Sequence, residues 1–426
     1  MRLKTITPHQ KKTLVAGSVG NVLEWYDFAL YGSFAPIIAK LFFPAKDELA
    51  SLLSTFGVFA LGFLMRPLGA AIFGFVGDRV GRKRALMLSV ILMAIPTTLL
   101  GVLPTYVQIG VAAPVLLTLL RLIQGISIGG EFTCSISFVV EHAPPSRRGF
   151  FGSWTVFSLL CGVLLGSAVS TFITSALSQD AITSWGWRVP FILGVLIGGV
   201  GLFLRTGIEE SPIFKSLESS GNVSKAPIRE ALTHYRKETL TTVGATCVGS
   251  VTFYMIFVYL ITFLSTETNV PYSSALEINT ISMIVLMVLT PLMGAISDRL
   301  GRKPLLIAGS LIIAILSYPL FLLISQDKVL YDLAGQVVFA IGLAMVFGPF
   351  GAMLVELFPT RVRMSAMSLG YNIGFAVFGG TAPLIATYLI KETGSKTAPS
   401  ICLIVSALIS LLIFLKLRET FRSPLS

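Results

Sequence analysis

The sequence predicts an all-α integral membrane protein, with twelve transmembrane helices in two pseudo-symmetric six-helix bundles. Three observations predict it. The 426 residues are 54% hydrophobic and only 12% charged, with a mean hydropathy of +0.83, where soluble domains carry about 25% charged residues. A bilayer-spanning helix needs about 20 mostly apolar residues, and twelve such runs fit between Lys12 and Lys416. The stretch Gly74 to Arg84, GFVGDRVGRKR, returns 220 residues later as Gly294 to Pro304, GAISDRLGRKP, each time after a long apolar run. Gly74 with Gly294, Asp78 with Asp298, Gly81 with Gly301 and Arg82 with Arg302 keep one register. The chain therefore reads as a duplicated set of spans, an arrangement found in secondary transporters.

In order, the runs are 13–39, 51–76, 85–103, 112–140, 149–175, 187–204, 239–265, 274–296, 304–324, 333–356, 364–390 and 398–415. The first follows the basic stretch Arg2 to Lys12 and, at over 25 residues, exceeds a signal-peptide core, so it counts as a span. The second and third flank one copy of the basic repeat, and the eighth and ninth flank the other. The segment 207–238 mixes charges with Pro212 and Pro227 and separates runs six and seven. It reads as the linker between an N-terminal bundle, 1–206, and a C-terminal bundle, 239–426.

Assigning alternate loops to opposite sides puts 24 of the 32 Lys and Arg residues on the side of the N-terminus. Five, Lys40, Lys46, Lys328, Lys391 and Lys396, fall on the other. By the positive-inside rule both termini are cytoplasmic. The net charge of +11 is then a topology signal, and nucleic acid is not an expected partner. Cys134, Cys161, Cys247 and Cys402 sit inside apolar runs without paired or metal-like spacing, and read as structural. His9, His142 and His234 map to cytoplasmic segments, which leaves carboxyl groups as the candidate proton carriers.

The glycine, aspartate and basic cluster between spans two and three, repeated between eight and nine, resembles the major facilitator superfamily over the whole chain. Within it, Gly20-Asn21, Glu24-Trp25-Tyr26-Asp27-Phe28, Arg66-Pro67-Leu68-Gly69, Arg121 through Gln124-Gly125 to Gly129-Gly130-Glu131, Trp185 to Phe191 and Glu210-Ser211-Pro212 resemble the metabolite:proton symporters. Ile128 to Thr133, Phe253-Tyr254-Met255 and Phe358-Pro359-Thr360 are similar to bacterial proline/betaine transporters. The same family includes carriers of citrate, 2-oxoglutarate and shikimate. The sequence ends soon after Arg422, without the coiled-coil tail of some osmosensing proline/betaine carriers, and osmotic activation of that kind is not expected.

A charge in the middle of a spanning helix costs at least about 2.5 kcal/mol, so such a residue faces an interior cavity and has a partner. On the first span Asn21, Glu24, Asp27 and Tyr31 recur at helical spacing along one side. At about 1.5 Å per residue, Glu24 lies about 17 Å from Thr13 and Arg121 about 14 Å from Ala112, which pairs Glu24 with Arg121. On the fourth span Arg121, Gln124, Ile128 and Glu131 share one sector, a polar stripe facing a cavity. Arg121 is the candidate for a substrate carboxylate, because a guanidinium stays charged in lipid-like surroundings and offers a planar fork. Holding the first and fourth spans together is the other role open to it.

Proton coupling needs a carboxyl group whose protonation separates two access states, and Glu24, Asp27 and Glu131 are placed for it. Asp27 and Glu24 are the expected coupling pair, since two acids three residues apart resist joint ionisation. Glu131 lies at a depth similar to Arg66, and an ion pair between them competes with a proton role. For a cationic substrate group the aromatic candidates are Trp25, Tyr31, Trp154, Tyr254 and Tyr371, with Asn372 as a hydrogen-bonding partner. Trp185 and Trp187 are assigned to the interfacial belt.

Gly74 and Gly294 permit close helix approach, and Asp78 and Asp298 can accept hydrogen bonds at a neighbouring helix N-terminus. By resemblance these residues, with Arg79, Arg82, Arg299 and Arg302, act as cytoplasmic latches of the outward-facing state. Glu141 with Arg147 and Glu356 with Arg361 read as a second repeated latch.

The expectation is a proton-coupled symporter in the bacterial inner membrane, monomeric, importing a small carboxylate-bearing metabolite or zwitterion by alternating access. No metal-ligand cluster, nucleophile motif or nucleotide loop is visible in the sequence, so neither an enzyme nor a cofactor beyond the proton gradient is expected; sodium stays open as the coupling ion. The alternatives are a di- or tricarboxylate symporter, an exporter or antiporter, and a transporter-like sensor. Against an antiporter, the fifth span carries Gly162 and Gly166 without the Gly-Pro motif of antiporters for lipophilic cations.

Overall fold

A computed structural model describes residues 7–44, 48–268, 270–326 and 328–425. Arg2, Lys4 and Lys46, three of the charges that orient the chain, lie outside the described residues, as does the side chain of His9.

Among the described residues all regular structure is helical. The first span is Pro8–Phe42, and the second comes in two pieces, Glu48–Leu64 and Arg66–Arg79. The third to sixth are Arg82–Val102, Ala112–Glu141, Pro145–Ala176 and Arg188–Thr206. The seventh to eleventh are Arg236–Glu267, Tyr272–Leu300, Arg302–Ile324, Val329–Leu357 and Arg363–Thr393, and the twelfth is Ser400–Lys416. Nine of these helices are long and apolar enough, by length and composition, to cross a bilayer. Large apolar side chains such as Leu64, Phe203, Ile315 and Leu384 point outwards, as expected where the solvent is lipid.

Local chemistry explains the starts and stops. Thr7 and Gln10 form a reciprocal capping box that opens the first span. The apolar run 51–76 is not one helix, because Pro67 has no N–H and its ring crowds the preceding turn. The N–H of Met65 bonds back only three residues, to the Gly62 carbonyl at 3.2 Å, and the helix restarts at Arg66. Gly81 and Gly301, at φ 119° and 103°, make the sharp turns between spans two and three and between eight and nine, a conformation that a Cβ would strain. The segment 207–238 contains two short helices, Pro212–Ser219 and Pro227–Thr233.

The chain forms two compact units, Met1–His142 with Ser158–Pro227, and Ala143–Phe157 with Ile228–Ser426. The opening turns of the fifth span thus belong to the second unit and its remainder to the first. In the first unit the third span packs on the fourth and sixth, and the first on the fourth and sixth. Gly125 and Gly129 let the fourth span press against the second, since a Cβ on either would collide with backbone of Gly62 or Arg66. Its apolar core includes Tyr26, Phe34, Phe42, Trp187 and Phe191. Trp187 is therefore not an interfacial residue as its position suggested: it is fully buried, edge-on to Phe42 at 5.8 Å, while Trp185 remains half exposed. In the second unit the eighth span packs on the tenth, the ninth on the tenth and twelfth, and the seventh on the eleventh and twelfth. Five-residue π turns interrupt the seventh span at Met255–Tyr259 and the eleventh at Phe375–Gly379, a feature that often marks functional positions.

Candidate functional site

The polar stripe of the fourth span meets that of the first inside the first unit. Arg121 Nη1 donates to Asp27 Oδ2 at 2.6 Å, and Gln124 Nε2 donates to the other carboxylate oxygen, Oδ1, at 3.0 Å and to Thr97 Oγ1 at 2.8 Å. The guanidinium carbon stands 3.7 Å from the Tyr31 ring centroid, and the Tyr31 hydroxyl is itself anchored on the Thr55 carbonyl at 3.1 Å. Arg121 Nε and Nη2 and Gln124 Oε1 are buried without hydrogen-bond partners. One edge of the guanidinium is thus neutralised and the other is left to bind.

The partner of Arg121 is Asp27, not Glu24 as depth counting from opposite helix ends suggested. Counted from the same end, Asp27 lies about 4.5 Å nearer the start of the fourth span than Glu24, and that one turn decides the pairing. Glu24 is buried near the pair with its Oε2 unpartnered. Asn21 donates to Ser135 Oγ at 2.9 Å and Ser158 Oγ at 3.3 Å, so it ties the first span to the fourth and fifth. Trp25 stacks against Phe28 at 5.3 Å.

Glu131 pairs with Arg205, not Arg66. Arg205 belongs to the last turn of the sixth span, and its guanidinium reaches both Glu131 oxygens as well as the carbonyls of Ala16, Gly17 and Leu86. Ser89 donates to the same carboxylate. Gly20 makes this possible, because a Cβ there would occupy the space of the ion pair. Arg66 instead lies over the Phe63 ring at 5.6 Å.

The duplicated ends carry the same construction in each unit. In the first, Arg82 meets Asp78 at 3.5 Å and Glu141 at 3.3 Å and donates to the Gly77 carbonyl at 2.6 Å. Glu141 also accepts from Ser137 at 3.0 Å and from Ser211. Glu210 accepts from the backbone N–H groups of Arg82 at 3.0 Å and Lys83 at 3.0 Å, capping the third span. In the second unit, Arg302 meets Asp298 at 2.7 Å and Glu356 at 3.0 Å, and Thr420 donates to Glu356 at 2.7 Å. Glu419 accepts from the N–H groups of Arg302 at 2.9 Å and Lys303 at 3.0 Å. The sequence signal that could have found this second pair was Glu210-Ser211 returning as Glu419-Thr420, which the longer Gly-Asp-Arg repeat overshadowed.

The expected pairs Glu141 with Arg147 and Glu356 with Arg361 do not form. Burial selects differently: the repeat arginines Arg82 and Arg302 are fully enclosed and take the acids, and Arg148 approaches Glu356 at 3.8 Å. Arg361 reaches Glu230 in the Pro227–Thr233 helix at 2.5 Å, and that hydrogen bond holds its guanidinium above the ordinary arginine pKa. Asp298 accepts from the N–H groups of Gly149 and Phe150, both at 2.8 Å, at the start of the fifth span, as a carboxylate at a helix N-terminus should. Gly294 fits closely against the Gly149 carbonyl and Ser153, and Gly74 is buried. Arg79 and Arg299 are exposed, with Arg79 over Phe75 at 5.4 Å.

Around the two π turns the second unit gathers aromatic rings. Tyr371 and Phe375 stack at 4.5 Å, Tyr254 meets Phe375 at 6.3 Å, and Phe350 lies 6.5 Å from Tyr371. Gly379 leaves the room that the Tyr254 ring needs. Asn372 donates to the Ser368 carbonyl at 2.9 Å. Trp154, in the opening turns of the fifth span, packs on Phe157 at 4.6 Å and is not part of this group of rings.

Residues 12–226 match the family described as sugar (and other) transporters, and residues 242–425 match the major facilitator superfamily. The chain is 36% identical to the glycine betaine/proline/ectoine/pipecolic acid transporter OusA of Dickeya dadantii, over 97% of this chain and 84% of that protein. It is 34% identical to the proline/betaine transporter of Escherichia coli K12, over 97% and 85%. In fold it is similar to the proton:xylose symporter XylE bound to 6-bromo-6-deoxy-D-glucose, with a TM-score of 0.84, 20% identity, and 99% and 98% of the two chains covered.

Proposed function

Because the chain belongs to the major facilitator superfamily and is 34–36% identical to proline/betaine transporters, we propose that it imports a small zwitterion of the proline/betaine kind together with protons, by alternating access. The observation that carries this reading is the half-engaged Arg121, held by Asp27 on one side and unpartnered at Nε and Nη2. A substrate carboxylate meets a charged, directional fork there, and a proton on Asp27 releases the guanidinium to take it. Glu24, buried and three residues before Asp27, supports a second proton position. The rings of Tyr254, Tyr371 and Phe375 offer π faces to a quaternary or secondary ammonium, and glycine betaine and proline, for which OusA and the Escherichia coli transporter are named, carry such groups. Asn21 and Gln124 orient the polar stripe. On this reading Glu131, locked to Arg205, holds the helices and leaves coupling to Glu24 and Asp27.

The paired ends around Arg82 and Arg302 serve as latches on the cytoplasmic side of the bacterial inner membrane. The bias of 24 among the 32 basic residues supports that orientation, with both termini inside. A di- or tricarboxylate would use the same Arg121 without needing the aromatic rings. The deciding experiment is uptake of radiolabelled proline, betaine and mono-, di- and tricarboxylates into proteoliposomes, with and without an inward acid gradient. Gradient-driven uptake of a zwitterion is expected. Uptake of dicarboxylates alone, or uptake indifferent to the gradient, would overturn the substrate class or the coupling respectively.

A further inference from the structure

Arg188, in the Trp185 to Phe191 segment, takes no part in the Arg121 pair or in the repeated ends. It opens the sixth span at the end remote from Arg82, and its Nη1 donates to the carbonyls of Gly101 at 3.0 Å and Leu103 at 2.8 Å. The guanidinium carbon stands 4.6 Å from the Trp187 ring centroid. Nε and Nη2 make no hydrogen bond among the described residues. With Gly101, Gln108, Ser184 and Ile192, Arg188 borders a pocket of about 690 Å³ in the first unit. Gln108 Oε1 accepts from the Thr105 N–H at 2.8 Å, which leaves the Gln108 amide nitrogen as a second donor there. None of the described residues that line the pocket is acidic. Trp185, half exposed and three residues before Arg188, marks this level as the edge of the membrane.

One turn further along the same two helices, an apolar groove of about 340 Å³ runs between the third and sixth spans, from Leu99 and Val195 to Val90 and Leu202. Gly198 lets the helices close at Ala94, while a Cβ on its neighbour Gly199 would meet nothing within 4 Å. Thr98, on the groove wall, donates its hydroxyl to the Ala94 carbonyl at 2.8 Å. Ile95, Leu99 and Val195 are about half exposed, so the groove opens outwards, where the solvent is lipid. From Gly101 to Val90 the third span rises about 16 Å, against about 15 Å for half of a hydrocarbon core about 30 Å thick. A cationic fork at the membrane edge, with an apolar channel one leaflet deep beneath it, fits an amphiphile with an anionic head. Guanidinium matches phosphate, whereas the ammonium of an ethanolamine head would find no carboxylate in the pocket. We propose that Arg188, Gln108 and the groove between the third and sixth spans bind one anionic glycerophospholipid, its phosphate on the guanidinium and an acyl chain lying along Gly199. The site is separate from the Arg121 pair and does not depend on which solute that pair binds.

The test uses the purified full-length chain in a non-ionic detergent: thermal unfolding as phosphatidylglycerol replaces phosphatidylcholine at fixed total lipid, with sn-glycerol 3-phosphate as a lipid-free arm. A ligand that binds the folded state raises Tm in a saturable way. The expected result is such a rise with phosphatidylglycerol and none with glycerol 3-phosphate at the same concentration. The half-effect concentration should rise at least about tenfold in Arg188→Gln, which loses the charged fork, and roughly fourfold or more in Gly199→Leu, which fills the groove. Gly199→Leu adds its side chain to open space and leaves Arg188 in place, so it decides alone where Arg188→Gln does not fold. No advantage of phosphatidylglycerol over phosphatidylcholine, or an unchanged half-effect in either folded variant, overturns the site. An equal rise with glycerol 3-phosphate shows an anion pocket without an acyl chain and overturns the lipid equally.

Discussion

Asp27 and Arg121 meet at 2.6 Å although 94 positions separate them in the chain, and both side chains are withdrawn from solvent. On the proposed function this single contact joins binding to coupling, because a substrate carboxylate and Asp27 compete for one guanidinium. Gln124 keeps the Asp27 carboxylate oriented while that competition takes place.

Asp27→Asn keeps the shape of the side chain and removes its charge. Exchange of preloaded solute across proteoliposomes is expected to persist, while accumulation driven by an acid gradient falls at least about tenfold, the scale of one 1.4 kcal/mol step. Full gradient-driven accumulation in this variant would remove Asp27 from coupling.

Arg121→Lys keeps the charge and loses the fork. A hydrogen bond to a charged group contributes about 1.5–3 kcal/mol, so half-saturating substrate should rise roughly 10- to 150-fold. An unchanged half-saturation, measured by equilibrium binding to the purified protein, would place the substrate carboxylate elsewhere.

Tyr254→Ala and Tyr371→Ala separate the two substrate classes. Loss of a cation-π face at about 0.5–2 kcal/mol weakens betaine binding roughly 2- to 30-fold and leaves a dicarboxylate unaffected. Equal losses for both would mean that the rings only pack the π turns.

Arg205→Met leaves Glu131 buried without its partner, and breaking a buried pair from one side costs about 3–5 kcal/mol. A large fall in Tm is expected, with recovery in the double variant Glu131→Gln, Arg205→Met. A single variant as stable as the parent would show that the ion pair does not hold these helices.

Glu210→Gln and Glu419→Gln should lower Tm by similar amounts, each removing a charged cap of about 1 kcal/mol. Gly81→Ala and Gly301→Ala should cost more, since each forces a Cβ into left-handed backbone and against the capping carboxylate. If the two units respond differently, the repeated caps are not equivalent in strength.

The large-scale architecture was legible because lipid enforces it. Apolar runs of spanning length, the Gly-Asp-Arg repeat and acids spaced along the first helix are properties of single segments, and hydropathy and helical periodicity read them directly. That Asn21, Glu24, Asp27, Arg121 and Gln124 converge on the inside of one unit followed from the cost of leaving them in lipid. The partners within that interior did not follow. Arg121 chose Asp27 over Glu24, Glu131 chose Arg205 over Arg66, and Glu356 chose Arg302 over Arg361. The contact between Gln336 and Asn279 also passed unnoticed, since no one helix carries its pattern.

The sequence alone thus determined that the chain spans a membrane, that it is duplicated, and which faces of its helices turn inward. Only the tertiary structure decided which buried charges touch. The reason is register: three residues along a helix amount to about 4.5 Å, more than the reach of a hydrogen bond. The offset between neighbouring helices is set by glycines such as Gly20 and Gly125, whose missing side chains fix how closely and at what height the helices meet.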